Sequence, residues 1–106
     1  MLIQVNTDRN IEGDDALAQQ VEAVVRSTLD RFSEQITRVS IHLSDENSDK
    51  KDGFEDMRCL LEARLAGHDP ISVSHQAGSL GEVVDGAVEK MKHSLESTLG
   101  RLESHQ

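Results

Sequence analysis

The longest amphipathic segment of the chain is residues 78–102, GSLGEVVDGAVEKMKHSLESTLGRL. Ser79 is followed three residues later by Glu82, the capping-box spacing in which both side chains satisfy free N–H groups at a helix start. Core-type side chains then recur at helical intervals and form one stripe. The stripe consists of Leu80, Val84, Ala87, Val88, Met91, Leu95, Thr98 and Leu102. The segment is therefore predicted to be one long helix that buries a single side.

The remaining sides of this predicted helix are charged. At about 100° per residue, acidic residues lie roughly opposite the stripe. They are Glu82, Asp85, Glu89, Glu96 and Glu103. Between the two sides runs a narrow basic band that consists of Lys90, His93 and Arg101, with Ser97 among them. Because such bands commonly serve only helix solubility, the band alone does not assign a function.

An earlier segment has the same helical pattern. Asp14 or Asp15 is placed to cap a helix that continues to about residue 33, where acidic side chains favour the positive end. Its predicted apolar stripe is Leu17, Val21, Val24, Val25, Thr28, Leu29 and Phe32. Residues 7–13 before it are predicted to be a polar loop that carries Arg9.

Alternating patterns predict four strands. They cover residues 1–6, 37–44, 56–66 and 71–76. Residues 67–70 contain Gly and Pro and predict a turn. Residues 45–55 are charged and predict a flexible hairpin loop.

The element order is therefore β-α-β-β-β-α, an α+β fold within a single domain of residues 1–106. The first two strands are predicted to run parallel through a right-handed crossover, and the last three to form an antiparallel meander. Each helix has one apolar stripe and each strand has one apolar face. Two helices packed on one face of a four-stranded mixed sheet bury all of these surfaces.

Composition limits the possible functions. The formal charge is −9 and the pI is about 4.8, which argues against binding nucleic acid over the whole surface unless charge is locally segregated. Phe32 and Phe54 are the only aromatic residues, so a base-stacking platform is not expected. No segment resembles a signal peptide or reaches the ~20 apolar residues of a membrane helix. The single cysteine fits a reducing cytosol, and a cytoplasmic protein is expected.

The sequence contains several motifs that only weakly indicate a metal site or a catalytic site. Asp45, Asn47 and Asp49 with Asp56 resemble a calcium loop, but Lys50 occupies the position that needs glycine, so a solvated hairpin is favoured. The histidines lack metal-ligand spacing, so no zinc site is predicted. Cys59 lies among core-facing residues and is interpreted as a buried thiol. No catalytic site, metal or cofactor is expected, and the protein is predicted not to be an enzyme.

The strands also predict one polar sheet face. Its side chains are Ser40, His42, Arg58, Glu62, Arg64, Ser72 and Ser74. A solvent-facing surface is the favoured interpretation, and a recognition face is the alternative.

Element order and residues 78–102 together resemble the ribosome hibernation-promoting factor family, also described as sigma-54 modulation proteins. The second helix of that family commonly begins with Asp, Met and Tyr and continues through small and apolar residues to Ile-Asp. Here Ser79, Leu80 and Gly81 take the first three places, and Val84-Asp85 matches the last two. The lysine that recurs after an acidic residue is matched by Lys90. Further collinear matches are Leu17, Val21, Phe32, Val39, Ile41 and Leu43.

This resemblance implies a short-form member without a C-terminal dimerisation domain. It implies translation regulation by binding the small ribosomal subunit and its RNA near the decoding region, with neither membrane nor DNA as partner. Basic residues are implied as the contacts. In this chain they are Lys90, Lys92, His93, Arg101, Arg9, Arg26 and Arg31.

The chain departs from the family in its basic residues. Val24 and Ser27 stand where first-helix lysines are common, and residues 97–99 replace a typically basic run. An alternative function is therefore a non-ribosomal protein-interaction module on the same fold, binding an unidentified protein partner through its acidic surface.

Overall fold

A computed structural model of the chain describes residues 1–8, 11, 14–45 and 57–104, with side chains described as far as residue 100. The elements are β1 (Leu2–Thr7), α1 (Asp15–Leu29), a 3-10 turn (Asp30–Phe32), β2 (Ile36–Asp45), β3 (Met57–Leu65), β4 (Ile71–Ala77) and α2 (Leu80–Ser104). This confirms the predicted order and the α+β class. The expectations for a calcium site and a flexible loop concern residues 45–56, of which Asp45 is the last residue of β2 and the others lie outside the described part.

The sheet has the strand order β1-β2-β3-β4. β1 pairs with β2 in parallel, and β2, β3 and β4 form the predicted antiparallel meander. β2 and β3 keep one continuous register from Arg38 to Asp45, in which Arg38 lies opposite Arg64, and the register shifts only between Ile36 and Arg38. Both helices cover the same face of the sheet, so the strands have one face toward the core and one toward solvent.

The core is almost entirely aliphatic and lies between the sheet and the two helices. On β2 and β3, every second residue belongs to the core, as the alternation predicts. These residues are Val39, Ile41, Leu43, Cys59, Leu61, Ala63 and Leu65. From α2, the core includes Val84, Ala87, Val88, Met91 and Leu95, all members of the predicted stripe. Among the described residues, no polar or charged side chain is buried.

Both helices start where side-chain capping predicts. The Asp14 carboxylate accepts a hydrogen bond from the Leu17 N–H at 2.8 Å. At α2, the Glu82 N–H donates to the Ser79 hydroxyl at 3.2 Å, and that hydroxyl lies 3.0 Å from the Glu82 carboxylate. The bond from the Glu82 N–H is the first half of the predicted capping box, whereas the Glu82 carboxylate accepts from the Ser79 hydroxyl instead of the Ser79 backbone N–H.

Three details differ from the prediction. The first α-helix ends at Leu29 rather than near residue 33, because Asp30–Phe32 tighten into a 3-10 turn that tucks Phe32 into the core. Val83, outside the predicted stripe, is fully buried, since α2 buries a wider arc than one stripe. Ile11, within the predicted polar loop, is also buried.

Candidate functional site

The two arginines of the first helical segment are both paired with carboxylates. Arg26 lies 2.9 Å from Glu22, one turn earlier on α1. Arg31, in the 3-10 turn, reaches Glu96 of α2 at 3.2 Å and also lies over the Phe32 ring. Each arginine therefore presents an ion pair rather than an isolated positive charge.

Lys90 and Lys92 lie on different sides of α2. The Lys90 ammonium donates a 2.8 Å hydrogen bond to the Ser74 carbonyl, at the outer edge of β4. Lys92 lies two residues further along α2 and is half-buried. At about 100° per residue the two lysines are roughly 160° apart around the helix axis. They cannot contact one phosphate group together.

His93 lies between two carboxylates. One ring nitrogen is 3.6 Å from Glu96 and the other is 4.0 Å from Glu89. The carboxylates of Glu89 and Glu96 therefore lie beside His93, which belongs to the predicted basic band. Arg9 and the Arg101 side chain, the remaining predicted contacts, lie outside the described part. The described members of the predicted set do not form one basic patch.

We call residues 14–34 and 79–100 the helical layer. It carries nine carboxylates and four permanent cations. The carboxylates are Asp14, Asp15, Glu22, Asp30, Glu34, Glu82, Asp85, Glu89 and Glu96, and the cations are Arg26, Arg31, Lys90 and Lys92. On α2, Glu82, Asp85 and Glu89 are all exposed. The helical layer is thus the acidic side of the described molecule.

The opposite surface is the outer sheet face, the outward-pointing side chains of the four strands. Alternation and strand pairing place the following residues on it: Leu2, Gln4, Asn6, Arg38, Ser40, His42, Ser44, Arg58, Leu60, Glu62, Arg64, Ser72, Ser74 and Gln76. Its charged residues are three arginines and one glutamate. A chain with a net charge of −9 therefore has a net positive outer sheet face.

The arginines of the outer sheet face occupy its two ends. Arg38 and Arg64 are directly opposite each other on β2 and β3. Arg38 is hydrogen-bonded to Gln4, and Arg64 lies 3.6 Å from Glu62 while 63% of its side chain stays exposed. Arg58 marks the other end of β3, opposite Ser44 and Gln76. Sequence inspection assigned Arg58 and Arg64 to this face but missed Arg38.

A shallow apolar groove of about 280 Å³ separates the starts of the two helices. Its lining is Leu17, Gln20, Val21, Val24, Leu80, Gly81, Val84 and Asp85. Val24 therefore contributes to an apolar wall of this groove. The exposed carboxylate of Asp85 forms part of the rim.

Two further side chains have structural roles. The His75 ring occupies the space beside Gly86, where an added Cβ would lie 2.1 Å from a ring carbon, so α2 approaches β4 closely at this point. Cys59 is buried, and desolvation raises the pKa of its thiol to about 11. A neutral, inaccessible thiol is a poor nucleophile, which confirms the structural interpretation. Within the described residues, no three potential metal ligands converge.

Comparison with known proteins identifies the family. The model described as "Sigma 54 modulation protein / S30EA ribosomal protein" matches residues 4–103. The chain belongs to this family. No curated protein sequence gives a significant match. In the described residues, no helix has the length and apolar character required to cross a membrane.

Solved structures agree with the family assignment at the level of fold. The Thermus thermophilus Protein Y N-terminal domain superimposes with a TM-score of 0.74 at 22% identity, covering 92% of this chain and 99% of that one. A ribosomal subunit interface protein from Coxiella burnetii superimposes with a TM-score of 0.70 at 16% identity, covering 94% of this chain and 99% of that one. These superpositions establish a shared fold. At such low identity they do not show that individual contacts of those proteins are also made by this chain.

Proposed function

We propose that this protein is a ribosome-associated translation regulator of the hibernation type, which binds the small ribosomal subunit and its RNA and catalyses no reaction. The observation that carries the proposal is the family match across residues 4–103. The fold shared with a ribosomal subunit interface protein supports it. A cytoplasmic location follows from this proposal, because translating and stored ribosomes are found there.

Electrostatics sets a condition on this function. A protein with a formal charge of −9 is repelled by RNA unless its cations are segregated on one surface. The family resemblance implies mainly helical cations as contacts, but carboxylates pair with two of the four described permanent cations of the helical layer, Arg26 and Arg31. The net positive outer sheet face supports the proposal independently, because it satisfies the condition of segregation.

Co-sedimentation tests the proposal. Purified protein is centrifuged with separated small and large ribosomal subunits over a salt series from about 50 to 300 mM, the range in which phosphate contacts weaken strongly. We expect co-migration with the small subunit at low salt and release as salt rises. Absence of co-migration at the lowest salt would reject ribosome association, and preference for the large subunit would reject the proposed site.

A protein-interaction module remains the second candidate function. The apolar groove between the helices, with Asp85 on its rim and Glu82 and Glu89 exposed nearby, favours it. Such a groove would accommodate an apolar segment flanked by basic residues. Binding of a partner protein that survives nuclease treatment and is lost in Val24→Glu would support this candidate, whereas nuclease-sensitive binding would contradict it.

A further inference from the structure

We propose that the outer sheet face, rather than the helical layer, contacts the phosphate backbone of structured RNA. The inference rests on the proposed function and names the surface that performs it. It assigns Arg38, Arg58 and Arg64 as the contacts, none of them in the helical set that the resemblance implies.

The sign of the charge is the first argument. The outer sheet face has three arginines against one glutamate, whereas the helical layer has nine carboxylates against four permanent cations. A polyanion that approaches the described molecule is therefore attracted by one side and repelled by the other. Binding through the sheet also directs the carboxylates of α2 away from the RNA.

The arrangement of the arginines is the second argument. Glu62, 3.6 Å from Arg64, is the one carboxylate on this face, so Arg38 and Arg64 remain a directly opposed like-charge pair, an arrangement that disfavours strand pairing. A phosphate group between them would relieve the repulsion and could be bound by both guanidinium groups. Arg58 lies six residues from Arg64 along β3, about 20 Å away in a strand. The two ends can thus contact separate phosphates of one RNA element.

The surface between the arginines determines the class of RNA. It contains short hydroxyl side chains, among them Ser40, Ser72 and Ser74, together with His42. Hydroxyl and imidazole groups can bond phosphate and sugar oxygens, which positions RNA without reading its sequence. No Phe, Tyr or Trp lies on the described outer sheet face, whose one ring is the imidazole of His42, so it lacks the aromatic platform on which single-strand binding sheets stack successive bases. Backbone contacts to a duplex are therefore the favoured recognition mode.

A matched pair of triple variants tests this assignment. The sheet variant carries Arg38→Gln, Arg58→Gln and Arg64→Gln, and the helix variant carries Arg26→Gln, Arg31→Gln and Lys92→Gln. Both lose three positive charges, so any difference between them reflects location. Circular dichroism melts first establish that both are folded. Binding is then measured to a mixed-sequence RNA duplex by fluorescence anisotropy and to small ribosomal subunits by sedimentation, each over a salt series.

We expect the sheet variant to bind the duplex at least about tenfold more weakly at low salt, with its log K versus log salt slope reduced by about 2. The helix variant should stay close to the unmodified protein in slope. Equal losses in both variants, or a larger loss in the helix variant, would overturn the inference.

The two measurements separate this inference from the proposed function. Duplex binding that depends on the sheet arginines without ribosome binding would uphold the inference and reject the ribosomal role. Ribosome binding that survives in the sheet variant would uphold the ribosomal role and reject the inference. Ribosome binding that needs the arginines, with no duplex binding, would mean that the outer sheet face contacts an acidic protein, which rejects the RNA assignment. Failure to bind either probe would reject both.

Discussion

The helical layer and the outer sheet face arrange their charges differently. In the helical layer, Arg26 pairs with Glu22 on the same helix, and Arg31 pairs with Glu96 on the neighbouring one. On the outer sheet face, Arg38 lies opposite another arginine, and Glu62 is the one carboxylate among the described side chains of this face. Exposed ion pairs add at most ~1 kcal/mol to stability, so neither arrangement determines the fold. What differs is the field that each side presents to a partner.

The secondary structures explain this contrast. On a helix, residues four apart are neighbours, so a carboxylate and a cation at that spacing pair within one segment. On a sheet, the neighbours of a residue come from other strands, so strand register decides which charges meet. Arg38 and Arg64 are 26 positions apart in the sequence and become neighbours only through the register of β2 and β3.

The largest expected change in stability comes from comparing a substitution on the buried side of α2 with one on its exposed side. Val88 is 1% exposed beneath the helix. Val88→Asp places an unpaired charge in the core and should lower the free energy of unfolding by ~3 kcal/mol or more. Glu89→Lys, one residue further and exposed, should change it by no more than ~0.5 kcal/mol. Urea denaturation measures both, and comparable destabilisation by the two variants would contradict the assigned orientation of α2.

The next effect concerns the core side of β3, which carries Cys59 between the outward-facing Arg58 and Leu60. Burial raises the pKa of Cys59 from 9.0 to about 11, so the folded state favours the neutral thiol. The corresponding stability is fully present below pH 9 and is lost as pH rises from about 9 to about 11. Its size is on the order of 2–3 kcal/mol, at about 1.4 kcal/mol per pKa unit.

Unfolding measured from pH 8 to 11 checks this expectation. Cys59→Ala is the control, because it keeps the other titrating groups and removes the thiol. The unmodified protein should lose more stability over this range than the variant does. Parallel pH profiles would show that the thiol is not desolvated as strongly as its burial indicates.

A smaller effect tests the contact between the two layers. Gly86→Ala would place a Cβ against the His75 ring, so we expect a net loss of ~1–2 kcal/mol from overpacking. In a His75→Ala background the same change should stabilise the protein by up to ~1 kcal/mol, since alanine favours helix more than glycine does. A double-mutant cycle measures the coupling. Additive effects would show that the ring moves aside without cost.

Much of the fold could be predicted from local sequence patterns. The Ser79–Glu82 capping box marked the start of α2, and alternation assigned the buried residues of β2 and β3. Burial of Val83 was missed because it depends on how α2 packs against the other elements, which the periodicity of one helix does not reveal. The burial of Ile11 could not be predicted for a related reason, because a single apolar residue in a polar segment shows no hydrophobic periodicity.

The candidate site was less predictable than the fold. Helical spacing identified Lys90 and His93 as a band but could not show that Lys90 hydrogen-bonds to the Ser74 carbonyl. On the sheet, alternation continued back from Ser40 would have assigned Arg38 to the outer face. Its position opposite Arg64 follows from the register of β2 and β3, which the alternation within a single strand does not reveal.

The smallest expected effect compares the two faces with one charge reversal on each. Glu62→Lys and Glu89→Lys both raise the net charge by two, the first on the outer sheet face and the second on the helical layer. Glu62→Lys gives up only an exposed contact with Arg64, so its stability should fall by less than ~1 kcal/mol. If the sheet binds RNA, Glu62→Lys should steepen the salt slope for duplex binding by up to about 0.9 and tighten binding several-fold at low salt. Glu89→Lys should leave the slope nearly unchanged, since its lysine makes no phosphate contact. Equal gains would indicate a response to net charge alone, and a larger gain for Glu89→Lys would assign RNA contact to the helical layer.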